Sequence, residues 1–209
     1  MKNATKHAEG LKSLLKKMLK EHKPQPKEAM EPLKALVRGA MSFDVSDAKA
    51  DEAMKLIDRE FVDLNELRVA TDLEIAELLG TKYPAIERRV AMITLSLNHI
   101  FEKEHTLSLE RLKNVSKRDA RQFLRGLPDI HPFVEGYVML YGFDAPAIPM
   151  DDELLEFMRE HEIVDEQITL DEAQRFVEHH LKDKECYEFH ILSRRSSRGE
   201  SKPKKKSKA

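Results

Sequence analysis

Asp151 is the side chain in this sequence best placed to do chemistry. A proline-containing loop, Gly142–Met150, delivers it to the start of the helical segment DDELLEFM. A carboxylate at a helix N-terminus is favoured by the helix dipole, which holds it ionised. It can cap the helix, or it can stabilise a developing cation and orient or deprotonate a water. Asp152 competes for either role. The other polar clusters promise less. His179 and His180 are adjacent and point to different helix faces, so with His190, Glu178 and Glu188 they form no chelating pair, and no metal site is expected. Cys186 is the only cysteine, which excludes a disulfide within the chain and any zinc or iron–sulphur site built from cysteines. The Glu87-Arg88-Arg89 run reads as a solvated helix face.

The elements that must position Asp151 read as helices throughout. Residues 4–22 place Leu11, Leu14, Leu15, Met18 and Leu19 at helical spacing with lysines opposite. The two prolines of KPQPK, residues 23–27, break that helix. Thr71 with Glu74 and Thr169 with Glu172 make capping boxes, and Gly80 closes the first of these helices. Pro84 is placed to open a long apolar helix to about Phe101, Ser116 to cap residues 117–125 before Gly126, and Pro132 to open a helix to about Tyr141. A last helix is expected over about 185–195. No segment alternates as a strand does, so the fold class is all-α, with many short helices.

Residues 124–158, LRGLPDIHPFVEGYVMLYGFDAPAIPMDDELLEFM, run as helix, tight turn, helix, loop and helix. This stretch resembles the helix-hairpin-helix DNA glycosylase superfamily of endonuclease III. There a Leu-Pro-Gly-x-Gly hairpin precedes a helix, a loop and the turn bearing the catalytic aspartate. The spacing from Leu127-Pro128 to Asp151 matches without a gap. ALVRGAMSFDVSDAKADEAMKLI (35–57), TDLEIAELLG with the helix after it, and YEFHILSRRS (187–196) are similar to the family's other core helices, so the resemblance covers about residues 30–195. It implies a two-lobed helical fold with interleaved lobes and the site in the cleft between them. It also implies that residues 30–40 and 165–195 meet in one lobe.

The resemblance assigns roles residue by residue. Asp151 falls on the catalytic aspartate, which would stabilise the oxocarbenium-like sugar as the bond to a flipped base breaks. Phe133 stands where bifunctional members carry the Schiff-base lysine, so β-lyase chemistry by that route is excluded. Phe133, Met41 and Tyr141 would contribute to the base pocket. Asp129, Ile130 and His131 replace the glycine hairpin that approaches the DNA backbone. Asp129 would repel a phosphate, a protonated His131 would partly compensate, and the two side chains weigh against a hairpin-bound monovalent cation. The cluster cysteines are absent, so no iron–sulphur cofactor is expected.

Charge divides the 209 residues unevenly. The net charge of −2 is the sum of +5 in residues 1–28, +7 in residues 194–209 and −14 between them. The expected organisation is a basic N-terminal helix and linker (1–28), a helical domain (29–193, central lobe about 45–140) and a disordered basic tail (194–209). The tail's Arg194, Arg195, Arg198, Lys202, Lys204, Lys205 and Lys206 would supply salt-dependent affinity for double-stranded DNA. With no apolar stretch long enough to serve as a signal or a membrane span, a cytoplasmic protein is expected. Two readings stand: a monofunctional glycosylase of base excision repair, or a catalytically inactive scaffold that binds DNA or a protein partner. An open cleft with Asp151 at its floor favours the first; a cleft filled by Phe133 favours the second.

Overall fold

A computed structural model describes residues 4–197, and among these every regular element is a helix. In chain order the α-helices are α1 (Ala4–Glu21), α2 (Pro32–Ala40), α3 (Asp47–Glu60), α4 (Leu64–Val69), α5 (Asp72–Leu79) and α6 (Ile86–Glu104). They continue with α7 (Lys117–Arg125), α8 (Pro132–Tyr137), α9 (Asp152–Glu160), α10 (Leu170–His180) and α11 (Asp183–Ser197). A 3-10 turn, Glu110–Asn114, precedes α7, and α8 runs on into a π-helical turn, Val138–Gly142.

Local chemistry sets most boundaries. Both expected capping boxes form, with Thr71 and Thr169 each accepting from the backbone N–H three residues on. Ser116 caps α7 in the same way. Gly80 ends α5 at a φ of +86°, where a side chain would be strained. Pro84 does not open α6. The chain turns first through Ala85, at a φ of +49°, and the helix begins at Ile86.

The helices bury their apolar faces in two clusters. The larger holds α2 to α8 and the π-turn around Leu36, Met41, Ile57, Ile93, Leu97 and Phe133. The smaller is built from α1, α9, α10 and α11 around Leu11, Leu15, Met158, Val177 and Phe189. Helices α1 and α11 therefore share a lobe. Of the expected meeting between residues 30–40 and 165–195, Tyr187 and Ile191 of α11 join the cluster that holds α2, while α2 lies chiefly against α8 and the π-turn. Leu11, Leu15 and Met18 dock α1 onto the smaller lobe, each burial contributing roughly 1.5–3 kcal/mol. The linker after α1 is extended and pinned, with Gln25 O accepting from Tyr187 Oη and the Met30 N–H donating to Tyr141 O.

Two arginines of α7 tie the lobes together. Arg121 reaches Glu135 of α8 at 2.8 Å and Glu178 of α10 at 2.5 Å, and Arg125 reaches Glu135 at 3.1 Å and Asp171 of α10 at 3.2 Å. Burial pushes the Glu135 carboxyl upward, and the two guanidiniums oppose that shift.

Candidate active site

Asp151 caps α9 with one carboxylate oxygen, accepting from Leu154 N–H at 2.9 Å. The other oxygen accepts from the Asp44 N–H at 3.2 Å and from Arg194 Nη1 at 3.1 Å. Only 1% of the residue is exposed. Burial raises its pKa despite the cation and the two backbone donors, so the helix dipole does not hold this carboxyl at its ordinary value. Asp44 lies over it at the surface, and its own carboxyl is raised by burial and then by Asp151 and Asp152.

Arg194 closes the site. It was expected to begin a disordered tail, and that expectation is corrected: it lies in α11 and is 4% exposed. Its guanidinium donates to Ser42 O at 3.0 Å, to Val45 O at 2.9 Å and to Asp47 at 3.0 Å, besides Asp151. It also lies over the Phe133 ring, 5.2 Å from the centroid. One side chain of the smaller lobe thus binds the loop between α2 and α3 to the start of α9. The reason is local: Tyr187, His190 and Arg194 recur at helical spacing on the inner side of α11, and all three are buried. Arg195 follows in the same helix, while Arg198, Lys202, Lys204, Lys205 and Lys206 lie outside the described residues.

Met41 and Phe133 have no exposed surface. A flipped base can stack on neither in this arrangement. Phe133 is surrounded by rings, with Phe43 at 6.5 Å, Tyr137 at 5.8 Å and His190 at 5.9 Å between centroids. Tyr141 stacks on Tyr137 at 4.3 Å and is only partly buried. It belongs to the far end of this aromatic column, beside Tyr187, rather than beside Asp151.

The turn between α7 and α8 forms without glycine at Asp129 and His131. Asp129 adopts a φ of +49°, the left-handed conformation that aspartate tolerates better than most residues. His131 caps α8, its Nδ1 accepting from the Phe133 N–H at 3.1 Å. Its ring lies parallel to Phe43 at 4.4 Å. Burial, then Arg88 and Arg89, lower its pKa to about 4, so at neutral pH it carries no charge to offset Asp129. Ile130 and Asp129 instead border a groove of about 460 Å³ with Arg88.

Arg89 is the buried residue beside the candidate site that sequence reasoning missed. It is 1% exposed rather than solvated. It donates to Ala40 O and Phe43 O at 2.6 Å and to Pro84 O at 2.7 Å, and covers the Phe43 ring at 3.7 Å. Its spacing from Ile86 and Ile93 puts it on the apolar stripe of α6, and that signal was available. Among the described residues no group of His, Cys, Asp and Glu is arranged to hold a metal ion, and no helix is long and apolar enough to cross a membrane.

This is the helix-hairpin-helix DNA glycosylase fold. The chain is similar to endonuclease III in a trapped covalent intermediate with DNA, at a TM-score of 0.71 and 13% identity, over 99% of this chain and 92% of that one. It is similar to the 8-oxoguanine glycosylase/lyase of Clostridium acetobutylicum in complex with double-stranded DNA, at 0.72 and 16%, over 95% and 71%. It is also similar to the H. pylori 3-methyladenine DNA glycosylase bound to 1,N6-ethenoadenine, at 0.67 and 16%, over 94% and 98%. No family model and no curated protein matches the sequence.

Proposed function

We propose that this chain binds double-stranded DNA on a glycosylase scaffold without excising a base. The observation that carries this reading is the state of Asp151. Its two oxygens are taken by Leu154, Asp44 and Arg194, and it is 1% exposed. Catalysis would need that carboxylate within reach of a sugar and its water. The fully buried Phe133 and Met41 support the same reading, since they fill space a flipped nucleotide would need. The likeness in fold to proteins captured with DNA, and the surplus of cations at both chain ends, support the binding half of the proposal.

The monofunctional glycosylase remains the second reading. One observation favours it: an aspartate still starts α9, at unbroken spacing from the hairpin. The test is base release from duplexes carrying a panel of lesions, at low salt, with alkali to cleave abasic product. The expected result is no cleavage above background by the wild type or by Asp151→Asn, with duplex binding retained by both. Alkali-dependent cleavage by the wild type, lost in Asp151→Asn, would overturn the proposal in favour of the glycosylase. Loss of duplex binding would overturn its other half.

A further inference from the structure

The stretch from the end of α3 through α5 leaves large apolar side chains in water. Val62 is 89% exposed, Leu73 68% and Val69 67%. Such side chains gathered on one short stretch mark an interaction surface. Val69 lines a groove of about 650 Å³ together with Phe61, Ala70 and Leu78. The remaining lining is acidic: Glu60, Glu66, Glu74 and Glu77. Glu66 and Glu74 already serve the backbone, accepting from Val62 N–H and Thr71 N–H. Glu60, at the end of α3, and Glu77, on α5, are exposed.

The outer side of α1 has the complementary surface. Its apolar stripe, with the half-buried Leu14 and Leu19 at its two edges, packs on its own lobe and leaves Lys12, Lys16, Lys17 and Lys20 exposed on the opposite side. Lysine ammoniums can meet the carboxylate rim while their methylene stems lie over the apolar floor. Within one molecule the two cannot meet. α1 is held on the smaller lobe by Leu11, Leu15 and Met18, while the groove lies on the larger lobe, on helices that pack against α6 and α3.

We infer that the α4–α5 groove of one copy receives the lysine face of α1 from a second copy. The contact joins two different surfaces, so it is heterologous and each copy offers one more of each. Neither surface includes Asp151 or the hairpin, but the α1 lysines also belong to the N-terminal cations proposed for DNA binding, so the test below reads self-association and duplex binding separately.

Sedimentation velocity of the full chain over a concentration series at low and high salt tests it. The expected result is association that grows with concentration and recedes as salt screens the charges. Glu60→Lys with Glu77→Lys, and separately Lys16→Glu with Lys17→Glu, each weaken association by about tenfold or more. All four side chains are exposed, so thermal unfolding is expected to stay as in the wild type. Mixed in equal amounts, the two reversed proteins associate again, because each now carries the charge the other's surface needs. Val69→Ser, which leaves the charge unchanged, also weakens association. A wild type that is monomeric at every concentration overturns the inference. So does association that survives both reversals, or a mixture that stays monomeric. If Lys16→Glu with Lys17→Glu weakens duplex binding while self-association persists, the α1 face belongs to DNA and the inference also fails.

Discussion

Arg194 Nη1 and Asp151 Oδ2 lie 3.1 Å apart, with 4% and 1% of their side chains exposed. Arg194, which Asp47 also pairs, is the main electrostatic compensation of Asp151, and taking it away leaves a buried carboxylate. Arg194→Ala is therefore expected to lower stability by about 3–5 kcal/mol. Adding Asp151→Asn to that variant should recover part of the loss, since no unpaired carboxylate then remains. Urea unfolding of the four proteins in the cycle measures the coupling. Additive losses would mean that the pair contributes no more than its separate hydrogen bonds.

His131 gives the fold a distinct pH signature. Its pKa falls from 6.5 in the free residue to about 4 in the folded chain, through burial and the nearby Arg88 and Arg89. Between those values the unfolded chain binds more protons than the folded one, so stability rises with pH across the window. This contribution is complete above about 6.5 and is lost as pH falls toward 4, amounting to at most about 3 kcal/mol. His131→Asn keeps a capping acceptor for the Phe133 N–H and removes the titration. The expected outcome is a shallower decline in unfolding free energy between neutral and acid pH, measured in urea at successive pH values.

Restoring the lysine will not restore lyase chemistry. Phe133 is fully buried among Phe43, Tyr137 and the Arg194 guanidinium. Phe133→Lys is expected to lower stability by several kcal/mol (on the order of 3–5), because it buries an unpaired ammonium. The ammonium would also face a cation it cannot escape. Borohydride trapping with an abasic duplex should give no covalent adduct, and appearance of one would show that the region opens in solution.

Gly136 sets how closely α8 lies on the loop before Asp151. A Cβ built there would stand 2.6 Å from Ile148 O and 3.0 Å from Pro149 Cα, both backbone atoms that cannot rotate away. Gly136→Ala is expected to destabilise by about 1–3 kcal/mol. Gly10→Ala, also within a helix, meets only Ile163 Cδ1 at 3.4 Å and should stabilise by about 0.5–1 kcal/mol. Opposite signs for the two alanines in thermal unfolding would check the argument.

What the sequence made legible was mostly local. The capping boxes at Thr71 and Thr169, the cap at Ser116 and the role of Asp151 as the cap of α9 all rest on contacts three residues apart. Arg194 and Arg89 were misread because their partners are distant in sequence. Arg194 meets Asp151 across 43 residues and Ser42 across 152, and Arg89 meets Ala40 across 49. A run of like charges reads as solvated until a helix turns alternate members inward, which is what α6 does with Arg88 outside and Arg89 inside. The spacing led to Asp151, which starts α9, but spacing carries no information on whether a third side chain covers it.

The seam between the two hydrophobic clusters carries arginines along its length, Arg194 at the candidate site and Arg121 with Arg125 where α7 meets α10. Lobes joined by a bare linker swing against each other by default; lobes stitched at two separate places do not. In solution the molecule should reorient as one body, with a single rotational correlation time shared by amides of α5 and α10. A jaw held at two places leaves less induced fit on the protein's side. If this surface binds a duplex as proposed, more of any bending falls to the elasticity of the DNA, which varies with its base steps even where no side chain touches them.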